Sequence, residues 1–138
     1  MQCTIANRLD ELPLLLDIAQ AFAEANGMPR ALALRVRLIV EELAGNAIRH
    51  GYRDGRAEFV ALSLSHDGVL RCTLEDDGDP FDPLSDPRQP DRPMNPEERP
   101  VGGLGVHIVR TWADNVAYSH VNGHNRVSLT VRPSSGAT

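Results

Sequence analysis

Apolar and polar positions follow two different periods along this chain, and the switches between them mark its elements. Residues 2–6 read as a short strand. From Leu9 onward, Leu12, Leu15, Leu16, Ala19, Phe22 and Ala23 recur at three- and four-residue spacing, the pattern of an amphipathic helix that Asn26-Gly27 ends. Pro29 suits the first position of a second helix, where a missing N–H is harmless. That helix carries Leu32, Val36, Ile39, Val40, Leu43 and Ala47 on one line and stops at Gly51.

Between Ala57 and Asp76 the period becomes two. Val60, Leu62 and Leu64 share one face of a strand, Leu70, Cys72 and Leu74 the matching face of a second, and Asp67-Gly68 turns between them. The same parity carries Asp76 to the apolar side and sends Asp77 the other way. A carboxylate delivered there is costly unless something donates to it. Seven of the ten prolines then fall between Pro80 and Pro100, with neither period. A structureless stretch of about 20 residues in a compact domain is unusual and often a functional lid, here about 80–101.

Gly102-Gly103-Leu104-Gly105 closes the lid and precedes a helix carrying Leu104, Ile108 and Trp112. Strands at about 116–121 and 126–131 flank an Asn122-Gly123 turn. Strands cluster instead of alternating with single helices. The pattern predicts an α+β fold, a two-layer α/β sandwich with a mixed, mostly antiparallel sheet and helices on one face. One domain is expected over 1–132, followed by a flexible tail at 133–138.

Composition narrows the function. A formal charge of −5 in 138 residues argues against direct nucleic-acid binding. All 14 basic residues are arginine, which excludes a Walker A lysine, a protein-kinase strand lysine and Schiff-base chemistry. Phosphates would have to be held by backbone N–H groups, arginine and metal. Cys3 and Cys72 show no metal spacing and suit a reducing cytoplasm. The sequence shows no signal-like segment and no apolar run long enough for a membrane span, so a cytoplasmic protein without membrane contact is expected.

Three motifs carry candidate chemistry. Glu42 and Asn46 stand at i and i+4 on one helix face, near the margin of the buried line. A carboxamide oxygen suits one position of an octahedral magnesium ion whose other ligands are phosphates and water. The carboxylate beside it can take a proton or orient a water. A purely structural role is the alternative, with Glu42 paired to an arginine and Asn46 capping or crosslinking helices.

Asp76-Asp77-Gly78 is the second motif. An ionised Asp76 accepts a hydrogen bond from adenine's amine and has nothing to take from guanine's O6, while Gly78 would let a base approach the backbone. An ordinary surface turn is the competing reading. The third is the glycine segment, whose free N–H groups and helix dipole suit an anion, or which is merely a loop junction. Arg99, just upstream, could reach a terminal phosphate, or is an ordinary surface arginine.

Taken together, E-x-x-x-N on a helix, D-x-G at a strand end, a long lid and G-x-G opening a helix form a far more specific pattern than any part. Over essentially the whole chain this resembles the GHKL superfamily of ATP-binding domains. It looks most like the bacterial anti-sigma-factor serine/threonine kinases. The matching segments are Glu41 to Tyr52, Asp76 to Pro83 and Gly102 to Arg110, with Trp112-Ala113-Asp114 and Asn122 to Arg126.

The resemblance implies ATP and Mg2+ as cofactors, Asn46 as metal ligand and Glu42 as catalytic base toward a partner's Ser or Thr hydroxyl. It places adenine on Asp76 and Gly78. Phosphates fall to Gly103, Leu104 and Gly105, with Arg99 as a further ligand. It further implies a homodimer that phosphorylates a small anti-sigma-factor antagonist and sequesters a sigma factor. Two alternatives stand beside this reading: a non-catalytic ATP-binding interaction module, and a stand-alone ATPase domain of a two-component-like system, with His50 a conceivable phosphoacceptor.

Overall fold

The computed structural model describes residues 1–51, 58–85 and 103–131. In chain order these are β1 (Gln2–Ala6), a 3-10 turn (Leu9–Glu11), α1 (Leu12–Ala25), α2 (Arg30–Gly51), β2 (Phe59–His66) and β3 (Leu70–Asp76). A second 3-10 turn (Pro83–Ser85), α3 (Gly103–Trp112), β4 (Ala113–Val121) and β5 (His124–Val131) complete them.

Local chemistry explains most boundaries. At the end of α1, Gly27 takes φ +84°. Met28 N–H then reaches back to Ala23 C=O and Gly27 N–H to Glu24 C=O, each at 3.1 Å. These two bonds satisfy carbonyls the helix would otherwise leave open. The expected first residue of α2, Pro29, instead stands just before it, and its carbonyl accepts from both Leu32 and Ala33 N–H at 2.9 Å. In the β4–β5 hairpin Asn122 and Gly123 take φ +56° and +80°. Two successive left-handed residues give the turn that matches strand twist.

The sheet order is β1-β2-β3-β5-β4. All four pairings of the described strands are antiparallel, so the expected mixed sheet has no parallel pair among them. Strand β4 also starts earlier than its periodicity suggests, directly after Trp112. A bulge between Asp114 and Ala117, with Asn115 at φ +54°, breaks the alternation there.

The helices cover one face of the sheet. Val60, Leu62, Leu64, Leu70, Cys72, Leu74, Val127, Leu129 and Val131 are buried against Leu15, Leu16 and Ala19 of α1 and Val36, Ile39, Val40, Leu43 and Ile48 of α2. The other face carries small and polar side chains in register, with Ser63 opposite Thr73 and Thr73 opposite Ser128. Burial pushes the Cys72 thiol up to about 12, which makes it a packing residue and a poor nucleophile.

No helix among the described residues is long and apolar enough to cross a membrane. The expected tail at 133–138 and most of the lid lie outside the described residues.

Truncating Leu62, fully buried in β2, is expected to cost about 2–5 kcal/mol as Leu62→Ala in urea unfolding. Leu14→Ala, at a position 56% exposed, should stay within about 0.5 kcal/mol.

Candidate nucleotide-binding site

A cleft opens where the C-terminal half of α2 passes over the ends of β3 and β5. Leu43 and Ala47 from α2, Leu74 from β3 and Val127 from β5 form apolar walls, and Asn46, Asp76 and Asn125 supply polar groups. Gly78, Phe81 and Pro83 line the loop side. The fold thus brings two of the three motifs, some 30 residues apart in sequence, to one concavity.

Asp76 is the best-defined member. It is the last residue of β3, only 8% exposed, on the core side that strand parity predicts. Its Oδ1 accepts from Gly78 N–H at 2.9 Å and from Asn125 Nδ2 at 3.0 Å. Its Oδ2 takes no hydrogen bond from a described residue. Desolvation raises the Asp76 pKa, the bonds from Asn125 and Gly78 oppose that rise, and the charge of Asp77 adds to it. Among the described residues, the result is a carboxylate with one oxygen anchored and the other left as an acceptor.

Asn125 organises the cleft, and reading the residues in order did not single it out. It lies opposite Asp76 in the β3–β5 register and is 5% exposed. Besides the bond to Asp76, its Nδ2 donates to Asp79 C=O at 2.8 Å and Gly78 C=O at 3.3 Å. Its Oδ1 accepts from Tyr118 OH at 2.5 Å and Phe81 N–H at 3.1 Å. One carboxamide therefore ties together β3, β4 and the loop that follows Asp76. Asp77 faces away and anchors the start of β2, accepting from Glu58 and Phe59 N–H at 2.8 and 3.0 Å.

On α2, Asn46 is 5% exposed and lines the cleft. Its Oδ1 accepts from Arg49 Nη2 at 2.8 Å. Glu42, one turn earlier, is half-buried, and its Oε2 is buried without a hydrogen-bond partner among the described residues. Desolvation raises its pKa, the nearby Arg49 charge lowers it, and Glu41 raises it further. Part of the structural alternative is thus realised, since an arginine does serve this pair. It bonds to the asparagine and leaves a glutamate oxygen unsatisfied.

Helix α3 begins at Gly103, so Gly103, Leu104 and Gly105 form its first turn instead of preceding it. At its other end Arg110 Nη2 donates to Leu84 C=O at 2.7 Å, and this ties the start of the lid to α3. Arg99, Gly102 and the His50 side chain lie outside the described residues.

The donor set fits a nucleotide-borne metal better than a free one. Among the described residues no group of three or more His, Cys, Asp and Glu could hold a metal ion. Asn46 offers a single neutral oxygen, which suffices only where phosphates and water supply the remaining ligands.

A family model described as the histidine kinase-like ATPase domain matches residues 5–131. The chain belongs to that family. Its members are nucleotide-binding ATPase domains, and the cleft between α2 and the ends of β3 and β5 is the candidate site for the nucleotide.

Among curated relatives, the anti-sigma F factor of Geobacillus stearothermophilus is 34% identical over 97 residues, covering 68% of this chain and 65% of that protein. Its counterpart in Bacillus subtilis strain 168 is 33% identical over 99 residues, covering 70% and 64%. The chain thus spans just under two thirds of the relatives it matches.

Among solved structures, one of the RsbU and RsbW domains of a Mycobacterium tuberculosis protein aligns with a TM-score of 0.62. It is 16% identical and the alignment covers 96% of this chain and 32% of that one, which shows the shared fold. A blue-light activated histidine kinase of Erythrobacter litoralis aligns at 0.58 with 25% identity, over 91% and 43% of the two chains.

Removing the cleft's organiser should be felt in stability as well as binding. Asn125→Ala leaves Tyr118 OH, Phe81 N–H and Asp76 each one bond short and is expected to cost about 1–3 kcal/mol in denaturant unfolding.

Glu42 should behave in the opposite sense. Its folded pKa is raised, so the folded state takes up its proton more readily, and the ionised form weakens the fold at neutral pH. Glu42→Gln is expected to melt higher than the parent at pH 7.5. The gap should close as pH falls through the raised folded pKa toward the ordinary value of 4.5.

Proposed function

We propose that this domain binds Mg·ATP and acts as an anti-sigma-factor-type serine/threonine kinase. It would phosphorylate a small antagonist protein and, when that antagonist no longer binds, sequester a sigma factor. The observation that carries the reading is the half-occupied Asp76 carboxylate facing Asn46 across one cleft. Two donors hold Oδ1, and among the described residues Oδ2 takes no hydrogen bond and is left as an acceptor. A base that presents a donor at that edge satisfies it, as adenine's amine does and guanine's O6 at the same position does not.

In this reading Asn46 Oδ1 offers the one protein oxygen for a magnesium ion held otherwise by phosphates and water. Magnesium, when bound, neutralises charge on the transferring phosphoryl group. The first turn of α3, with Gly103, Leu104 and Gly105, offers N–H groups to the phosphates, and Arg99 is a further proposed ligand. Glu42 is the base.

The acceptor protein's hydroxyl oxygen forms the new bond to the γ-phosphorus, the bond to the β–γ bridging oxygen breaks, and the hydroxyl proton passes to Glu42. ADP leaves. A carboxylate with a raised pKa and an unsatisfied buried oxygen suits that role better than an ordinary surface glutamate.

The name of the anti-sigma F factors to which the chain is similar supports a sigma factor as partner; the antagonist protein and a homodimer as the assembled form are part of the proposal. The edge position of β1 leaves a strand free for such an assembly.

Asp76→Asn should weaken ATP binding about ten- to a hundredfold, because one charge-assisted bond to the base is lost. An unchanged affinity in a calorimetric titration would show that the base does not sit on Asp76. For catalysis, candidate antagonist domains incubated with Mg·ATP and the protein should gain one phosphate by intact mass. Glu42→Gln should retain ATP binding and lose the transfer. Binding without transfer to any candidate would instead identify a non-catalytic ATP-binding module.

A further inference from the structure

Three observations converge on the face of α2 that would meet the phosphates. Arg49 turns back along the helix so that its Nη2 donates to Asn46 Oδ1 at 2.8 Å. Its positive charge also lies close enough to Glu42 to oppose the rise in that group's pKa. And the guanidinium lies over Gly45, where a Cβ would come within 3.2 Å of Arg49 Nη1 and 3.5 Å of Nη2.

Glycine is among the poorest residues for the interior of a helix, so its presence in the middle of α2 calls for a reason. The missing Cβ supplies one. It makes the bed in which the guanidinium rests while bonded to Asn46.

We propose that Arg49 is a resident cation of the nucleotide-free domain, occupying the oxygen of Asn46 that a magnesium nucleotide would take, and that its displacement sets the magnesium requirement for binding. The inference rests on the Mg·ATP reading of the cleft. Asn46 Oδ1 carries no formal charge and cannot hold a divalent ion and a guanidinium at close range together, since the two cations repel. Arg49 is half-buried and joined to a long flexible stem, so it can swing outward to solvent once the metal competes for the oxygen. Until then it satisfies a buried carboxamide oxygen that would otherwise be orphaned.

The test is a magnesium titration of binding to a fluorescent ATP analogue, run on the parent protein, Arg49→Met and Gly45→Ala. Arg49→Met should lower the magnesium concentration at half-maximal binding by about three- to tenfold, the scale of losing one competing hydrogen bond to a charged group. Affinity at saturating magnesium should stay the same or tighten.

Gly45→Ala keeps the arginine and improves helix propensity, and it should shift the midpoint the same way by less. An unchanged or raised midpoint in Arg49→Met would overturn the proposal. So would a tenfold loss of affinity at saturating magnesium, which would make Arg49 a phosphate ligand. Failure of the parent protein to bind the analogue at any magnesium concentration would instead overturn the Mg·ATP reading, and this inference with it.

Discussion

An aspartate at the end of the central strand, delivered to the apolar side of the sheet, has to be compensated by hydrogen bonds, and the cleft is arranged around that compensation. Asn125 on β5 and the backbone of Gly78 provide it. Because Asn125 has donors and an acceptor to spare, the same side chain also fixes Phe81, Asp79 and Tyr118. The loop after β3, the origin of the lid, and β4 thus depend on one buried carboxamide. Such a network is stiff when complete and fails as a unit when one member is removed.

Helix α2 meets this strand end with a second set of polar groups whose accounts do not close. Asn46 is satisfied by Arg49, but among the described residues Glu42 keeps a buried oxygen without a partner. A helix selected only for stability would carry a neutral residue at Glu42 and alanine at Gly45. Both departures fall within one turn of Asn46 and face the region where phosphates are proposed to bind. Local rules broken at a site and kept elsewhere are what function imposes on an otherwise consistent fold.

Much of this was legible beforehand. Helix α1 ended at Asn26-Gly27 because only a glycine-like conformation closes the helix there, and the alternation of β2 and β3 placed Asp76 inward and Asp77 outward. The limits were as physical as the successes. The bulge near Asn115 hid the first residues of β4, since an inserted residue destroys the period that reveals a strand. Asn125 falls in a segment that carries the resemblance but received no site role, because a lone asparagine after an Asn-Gly turn is ordinary turn chemistry until its strand neighbour is known.

The sequence by itself determined the elements, their faces, the single-sided helix layer and the motif pattern that identifies the family, because these follow from local periodicity, turn residues and chain order. Tertiary structure alone decided that β5 lies between β3 and β4, in the register that sets Asn125 against Asp76 from 49 residues away. It also decided that Arg49 folds back onto Asn46 instead of pairing outward. No local turn sets a pairing over that distance. It is chosen by the burial of the whole sheet face against α1 and α2, and by the cost of leaving Asp76 without donors.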